Sequence, residues 1–193
     1  MLLNEAPKYG NDDDYVDLMA KEWTDFLAHE TKKYTSMFGV PIVSNIVPIT
    51  ANVAHAQGVA ALPSGKKAKA PLAEGCSPKQ GMDVNGPTAS LKSIGKINHA
   101  AQLVGTQLNM KLDPVFVEND RGLANLAALI RTHNDLGINH IQFNVVSEKT
   151  LRAAQKNPEQ YRDLMVRVSG YCAYFVQLDP EAVSYTHLTL PTN

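Results

Sequence analysis

The sequence predicts an α/β chain, and three stretches carry that expectation. Leu123 to Leu136 (LANLAALIRTHNDL) places Leu123, Leu126, Leu129 and Ile130 at helical spacing and is stopped by Gly137. Ile138 to Val146 (INHIQFNVV) reads as a strand. In Leu164 to Leu178 (LMVRVSGYCAYFVQL), Val166 and Val168 alternate with Arg167 and Ser169, and Gly170 interrupts before a second apolar run. A glycine between two strand-like runs marks a turn or bulge, because it accepts positive φ without penalty.

The remaining elements follow in order. Asn11-Asp12-Asp13-Asp14 precedes a helical pattern with Val16, Met19, Trp23, Phe26, Leu27 and Tyr34 on one side. Carboxylates there cap free N–H groups and meet the positive helix pole; consecutive Asp side chains point apart, which disfavours a metal site. Val40 to Val53 is β-branched and broken by Pro41 and Pro48, as expected of short strand pieces, and His55 follows it. Ala61 to Pro78 is rich in Gly, Pro and Lys and reads as a loop, with Lys66, Lys67 and Lys69 expected on a solvated surface. Gly58 and Gly65-Lys66 superficially look like a phosphate loop, but the glycines are too far apart and Lys67 stands where Ser or Thr is needed. Thr88 to Ile97 starts a helix, and Leu103 to Leu112 is strand-like without strict alternation. Ser147 caps a helix that runs to Lys156 and is broken by Asn157-Pro158. His133 and His140 fall on different elements without a third ligand, so structural roles are expected.

Composition bounds the function classes. The 193 residues are 44% hydrophobic and 19% charged, which is ordinary for a globular domain. A net charge of −1 gives no general attraction to nucleic acid or anionic membrane, and no run approaches the roughly 18 apolar residues of a membrane span. Cys76 and Cys172 suggest neither a disulfide framework nor a CxxC metal site, and the N-terminus lacks a signal-peptide pattern, so a cytoplasmic location is expected.

Arg167-Val168-Ser169-Gly170-Tyr171 resembles the radical-bearing loop of the glycyl radical enzymes, the superfamily of pyruvate formate-lyase and of glycerol and hydroxyproline dehydratases. A second stretch is similar to that family's PDGRKAGEPLADG segment and the Ser-Pro, Asp and Gly-Pro-Thr-Ala after it: Pro63, Gly65, Lys67, Ala68, Pro71, Leu72, Ala73, Gly75, Ser77, Pro78, Gly81, Asp83 and Gly86 to Ala89 match. Ser64, Lys66, Lys69, Ala70 and Glu74 depart from it. PKYGNDDDYVD also looks like a piece of the family's barrel.

The resemblance implies the C-terminal part of a ten-stranded α/β barrel of the pyruvate formate-lyase type, carrying the glycine radical loop. Residues 1–70 are then barrel, and 71–182 are the glycine radical domain. It implies an organic radical stored on Gly170, supported by Arg167, Ser169 and Tyr171, with Asn45 and His55 as candidate pocket residues and no metal in this chain. The chemistry suits glycine: an unpaired electron on Cα delocalises into the flanking amides only if Cα is flat, and a Cβ would resist flattening and block close approach. A radical-SAM activating enzyme is implied as partner, together with a small-molecule substrate and a homodimer when full length; nucleic acid and membrane are not. The implied function is radical cleavage or elimination by a dehydratase- or decarboxylase-like lyase, through a cysteine outside this stretch, with the fragment inactive alone. The alternatives are a formate acetyltransferase and a stand-alone spare part that repairs an oxygen-cleaved lyase. Val183 to Asn193 (VSYTHLTLPTN) departs from the family and reads like a translated sequencing adapter, so it is set apart from the fold.

Overall fold

The computed structural model describes residues 5–168 and 170–178. Helix α1 (Asp14–Thr31) begins where the carboxylates are: Asp13 is its N-cap and accepts from Tyr15 N–H at 3.0 Å. A short helix, α2 (Ala51–Ala54), and α3 (Gly86–Gly95), with Pro87 in its first turn, follow. Strand β1 (Asn109–Leu112) leads into α4 (Asp120–Asp135), capped by Asn119, and then into β2 (Gln142–Val145). β1 and β2 pair in parallel, Asn109 opposite Gln142 and Leu112 opposite Val145, so α4 is the crossover that parallel strands require. Helix α5 (Glu148–Lys156) starts at Ser147, whose hydroxyl accepts from Thr150 N–H. It precedes an antiparallel hairpin of β3 (Met165–Arg167) and β4 (Cys172–Tyr174).

Among the described residues, two hydrophobic clusters hold the elements from α3 onward. Leu91, Ile94 and Ile97 pack with Leu108, Met110, Leu112, Leu129 and Ile138, joining α3, β1 and α4. Leu151 and Ala154 of α5 pack with Val166, Val168 and Phe175, seating the hairpin on that helix. The hairpin rests on its own small core, and polar side chains supply its attachment to the β1–β2 pair.

Several expectations are corrected. Helix outweighs strand among the described residues of this α/β chain. Val40 to Val53 forms no strand: isolated bridges join Thr35 to Pro41 and Ile46 to Thr106, and α2 takes its last residues. Proline lacks the N–H that continues a ladder, which explains why β-branched content alone does not suffice here. Of Leu103 to Leu112 only the last four residues are a strand. The apolar stripe of α1 faces outward among the described residues, with Trp23 61% and Phe26 51% exposed, while Asp17 is fully buried. Its carboxylate accepts from Ser93 Oγ at 2.8 Å and pairs with Lys96 Nζ at 2.9 Å, so polar contacts turn that side of the helix inward. Lys66 is buried rather than solvated, its ammonium donating to the Lys67 carbonyl at 3.1 Å.

Candidate functional site

The hairpin register pairs Arg167 with Cys172, and Val168 N–H donates to the Tyr171 carbonyl at 2.9 Å. Gly170 therefore sits in the turn at the hairpin tip, exposed, with φ +77°. Ser169 lies outside the described residues. A left-handed φ costs a residue with Cβ about 1–2 kcal/mol, which glycine avoids. Crowding contributes nothing: a Cβ built at position 170 meets no atom within 4 Å. Static crowding is therefore no obstacle to alanine among the described residues, whereas the positive φ is.

The tip is held by side-chain amides. Gln142 and Asn144 are two residues apart on β2 and so share a face, and Asn109 lies opposite Gln142 on β1. Asn144 brackets Arg167: its Nδ2 donates to the Arg167 carbonyl at 2.7 Å and its Oδ1 accepts from Arg167 N–H at 3.4 Å. Asn109 Nδ2 donates to the Val168 carbonyl at 3.2 Å, and Gln142 Nε2 reaches the same oxygen at 3.5 Å. Gln142 Oε1 accepts from Gly170 N–H and from Arg167 Nε, both at 3.0 Å. These amides stand in for a third strand and satisfy backbone groups that the hairpin leaves unpaired.

Asn109 connects the hairpin to ionisable groups around a cavity. Asn109 Nδ2 also donates to Glu74 Oε1, and Glu74, Asp83 and Lys111 line a cavity of about 670 Å³. Burial pushes the Glu74 carboxyl up to about 6, opposed by the Asn109 hydrogen bond and the Lys111 charge. Burial pulls the Lys111 ammonium down to about 8, opposed by the charges of Glu74 and Asp83.

Of the residues singled out from sequence, Arg167, Gly170 and Tyr171 come together in the hairpin. Arg167 Nη1 also donates to Cys172 Sγ at 3.4 Å. Asn45 and His55 are exposed; Asn45 Oδ1 accepts from Val47 N–H and His55 opens a 3-10 turn. Neither is hydrogen-bonded to the hairpin among the described residues. Cys76 is buried, its thiol donating to the Gln107 carbonyl at 3.1 Å, and burial pushes its pKa up to about 12. His133 and His140 have local partners, Asn134 Oδ1 and Leu108 N–H, and no group of three metal-ligating residues occurs among the described residues. Asn109, Gln142 and Asn144 escaped the sequence reading; the visible signal was the alternation of Gln142 and Asn144 in an otherwise apolar strand.

The site fits a backbone radical: residue 170 has no Cβ, projects at a turn tip, and has its amide N–H oriented by a fixed acceptor. The comparisons agree. The glycine radical family matches residues 72–176, and the pyruvate formate lyase-like family matches residues 1–56. The chain belongs to the glycyl radical enzyme superfamily. It is 45% identical to the probable dehydratase YbiW of Escherichia coli (strain K12) over 94% of its length, and 44% identical to the isethionate sulfite-lyase of Bilophila wadsworthia over 93%. The glycerol-bound B12-independent glycerol dehydratase from Clostridium butyricum superposes on 94% of the chain with a TM-score of 0.90 at 45% identity. The chain spans 22–23% of the length of these three proteins. Its α/β fold is that of the C-terminal part of the pyruvate formate-lyase type. Among the described residues no helix is long and apolar enough to cross a membrane.

Proposed function

We propose that this segment is the radical-storing part of a glycyl radical lyase, with Gly170 as the radical site. The observation that carries the reading is Gly170 at the hairpin tip, at φ +77°, with its N–H held by Gln142. A radical at this Cα would supply a stored hydrogen-abstracting equivalent for chemistry elsewhere in a longer protein. The chain's own residues orient the peptide plane, hold the tip against β2 and leave the Cα reachable. Arg167 and Tyr171 are support residues through the contacts above, and Ser169 through its place next to Gly170; Asn45 and His55 are pocket candidates only in a protein that covers them. The domain division at 70/71 belongs to the same reading.

The substrate class is a small organic molecule that undergoes elimination or bond cleavage, in line with relatives named as dehydratases and a sulfite-lyase. The partner is a radical-SAM activating enzyme, which removes one hydrogen atom from Gly170 Cα in the cytoplasm, and the longer protein is a homodimer. A spare-part role is disfavoured because residues 1–56 match the lyase-type family, and α1 is bound into the fold through Asp17 and Lys96.

The test is a graft. Residues 5–178 replace the matching segment of the Clostridium butyricum glycerol dehydratase, with the host's own residues before and after. Anaerobic activation is expected to give a glycine-type doublet in electron paramagnetic resonance, absent in Gly170→Ala. A doublet that survives Gly170→Ala would overturn the assignment.

A further inference from the structure

We propose that Gln142 is a positioning residue for Gly170: it fixes the plane of the peptide entering the glycine and latches the hairpin tip to β2. The inference rests on the reading of Gly170 as the radical site, while its geometric half stands without it. One carboxamide makes three contacts. Its oxygen accepts from Gly170 N–H and Arg167 Nε, both at 3.0 Å, and its nitrogen reaches the Val168 carbonyl at 3.5 Å. Gln142 itself is 8% exposed, so its carboxamide is held from the buried side while the glycine it contacts faces outward. Asn109 and Asn144 hold Val168 and Arg167, whereas Gln142 is the side chain that accepts from Gly170 N–H among the described residues.

Two consequences follow from the chemistry. An electron shared between Cα and its amide nitrogen is sensitive to what that N–H donates to, and Gln142 Oε1 is that acceptor. The contact is also neutral on both sides at Gly170, so its loss leaves no buried charge behind. A single neutral hydrogen bond of this kind is weak enough for the tip to leave as a unit and strong enough to set its resting position. Arg167 is the counterweight: its guanidinium shares the Gln142 oxygen, so the tip and the end of β3 are released together.

The grafted protein separates these roles. Gln142→Met keeps length and burial and removes both acceptor and donor; Gln142→Glu keeps the acceptor and strengthens its pairing with Arg167. Hydrogen exchange resolved at Gly170 is expected to speed up about tenfold in Gln142→Met and to stay within about twofold of wild type in Gln142→Glu. After anaerobic activation, the Gln142→Met doublet is expected to change in hyperfine splitting and to decay faster in air, with Gln142→Glu restoring both. Unchanged Gly170 exchange in Gln142→Met overturns the proposal, as does equal acceleration in the two variants. If Gln142→Met does not fold, faster Gly170 exchange in Gln142→Glu than in wild type overturns it alone. If the exchange pattern appears but no protein gives a doublet, the latch stands and the assignment of Gly170 as radical site fails.

Discussion

The two ends of the described chain are fastened by opposite chemistry. Helix α1 is attached through charge: Lys96 Nζ pairs with Asp12, Asp14 and Asp17 at 3.2, 2.6 and 2.9 Å, and Lys92 adds a contact to Asp12 at 2.8 Å. The glycine hairpin is attached through neutral carboxamides on β1 and β2. A buried ion pair is costly to break because each partner is left as an uncompensated charge, whereas a neutral amide gives up about 1 kcal/mol and rehydrates readily. The contrast predicts that the hairpin junction opens more readily than the α1 junction.

The sharpest way to break the comparison is at Lys96. Burial works against its ammonium, but the hydrogen bonds to Asp14, Asp17 and Asp12 outweigh it and hold its pKa well above the ordinary value. Lys96→Met strands the fully buried Asp17 carboxylate and is expected to lower the free energy for local opening of α1 by about 3 kcal/mol or more. Native-state hydrogen exchange over Asp14–Thr31 measures it. A loss under about 1 kcal/mol would make this junction no stronger than a surface contact.

A smaller effect is expected from pH at the platform under the hairpin. The Glu74 pKa is raised from 4.5 to about 6 in the folded state, so the folded chain holds its proton more tightly than the unfolded chain. Stability from this group is full below pH 4.5 and is lost as pH rises through 6, a change on the order of 1 to 2 kcal/mol. Glu74→Gln should flatten that slope in the free energy of unfolding, measured from pH 4 to 7. A slope unchanged in Glu74→Gln would remove Glu74 from the account.

The smallest expected effect is steric. Gly170→Ala is expected to weaken the hairpin by about 1 kcal/mol through its positive φ alone. By contrast, a Cβ at Gly75, also at positive φ, would stand 2.1 Å from the Gln107 carbonyl oxygen, so Gly75→Ala should cost several times more. Comparable losses in the two variants, read by thermal unfolding of the grafted protein, would mean that the tip is crowded after all.

What the sequence disclosed divides along a physical line. Local signals were legible: the Asp13 and Ser147 caps, the amphipathic α4, the strands around Gln142–Val145 and Met165–Arg167, and the glycine turn between β-type runs. Each depends on neighbours a few residues away. The junctions were not legible, because they join distant residues: Asp17 to Ser93 and Lys96, Asn109 to Val168, Gln142 to Gly170. Periodicity grouped the apolar residues of α1 on one side without saying which way it faces: Trp23 and Phe26 form a stacked pair on its exposed side, while Asp17 supplies the buried contact. In Val40–Val53, β-branched side chains favoured a strand and the two prolines decided against it.

The central claim is that Gly170 stores the radical, and the chain's own chemistry offers a direct record of it. A carbon radical on the main chain adds dioxygen at that carbon, so backbone scission follows at the residue that carried the electron. The activated grafted protein should be exposed to air and its fragments weighed by intact mass spectrometry. The account predicts a single cut at the Ser169-Gly170 junction that depends on prior activation and is absent in Gly170→Ala. A cut at another residue, or the same cut in the alanine variant, would contradict it.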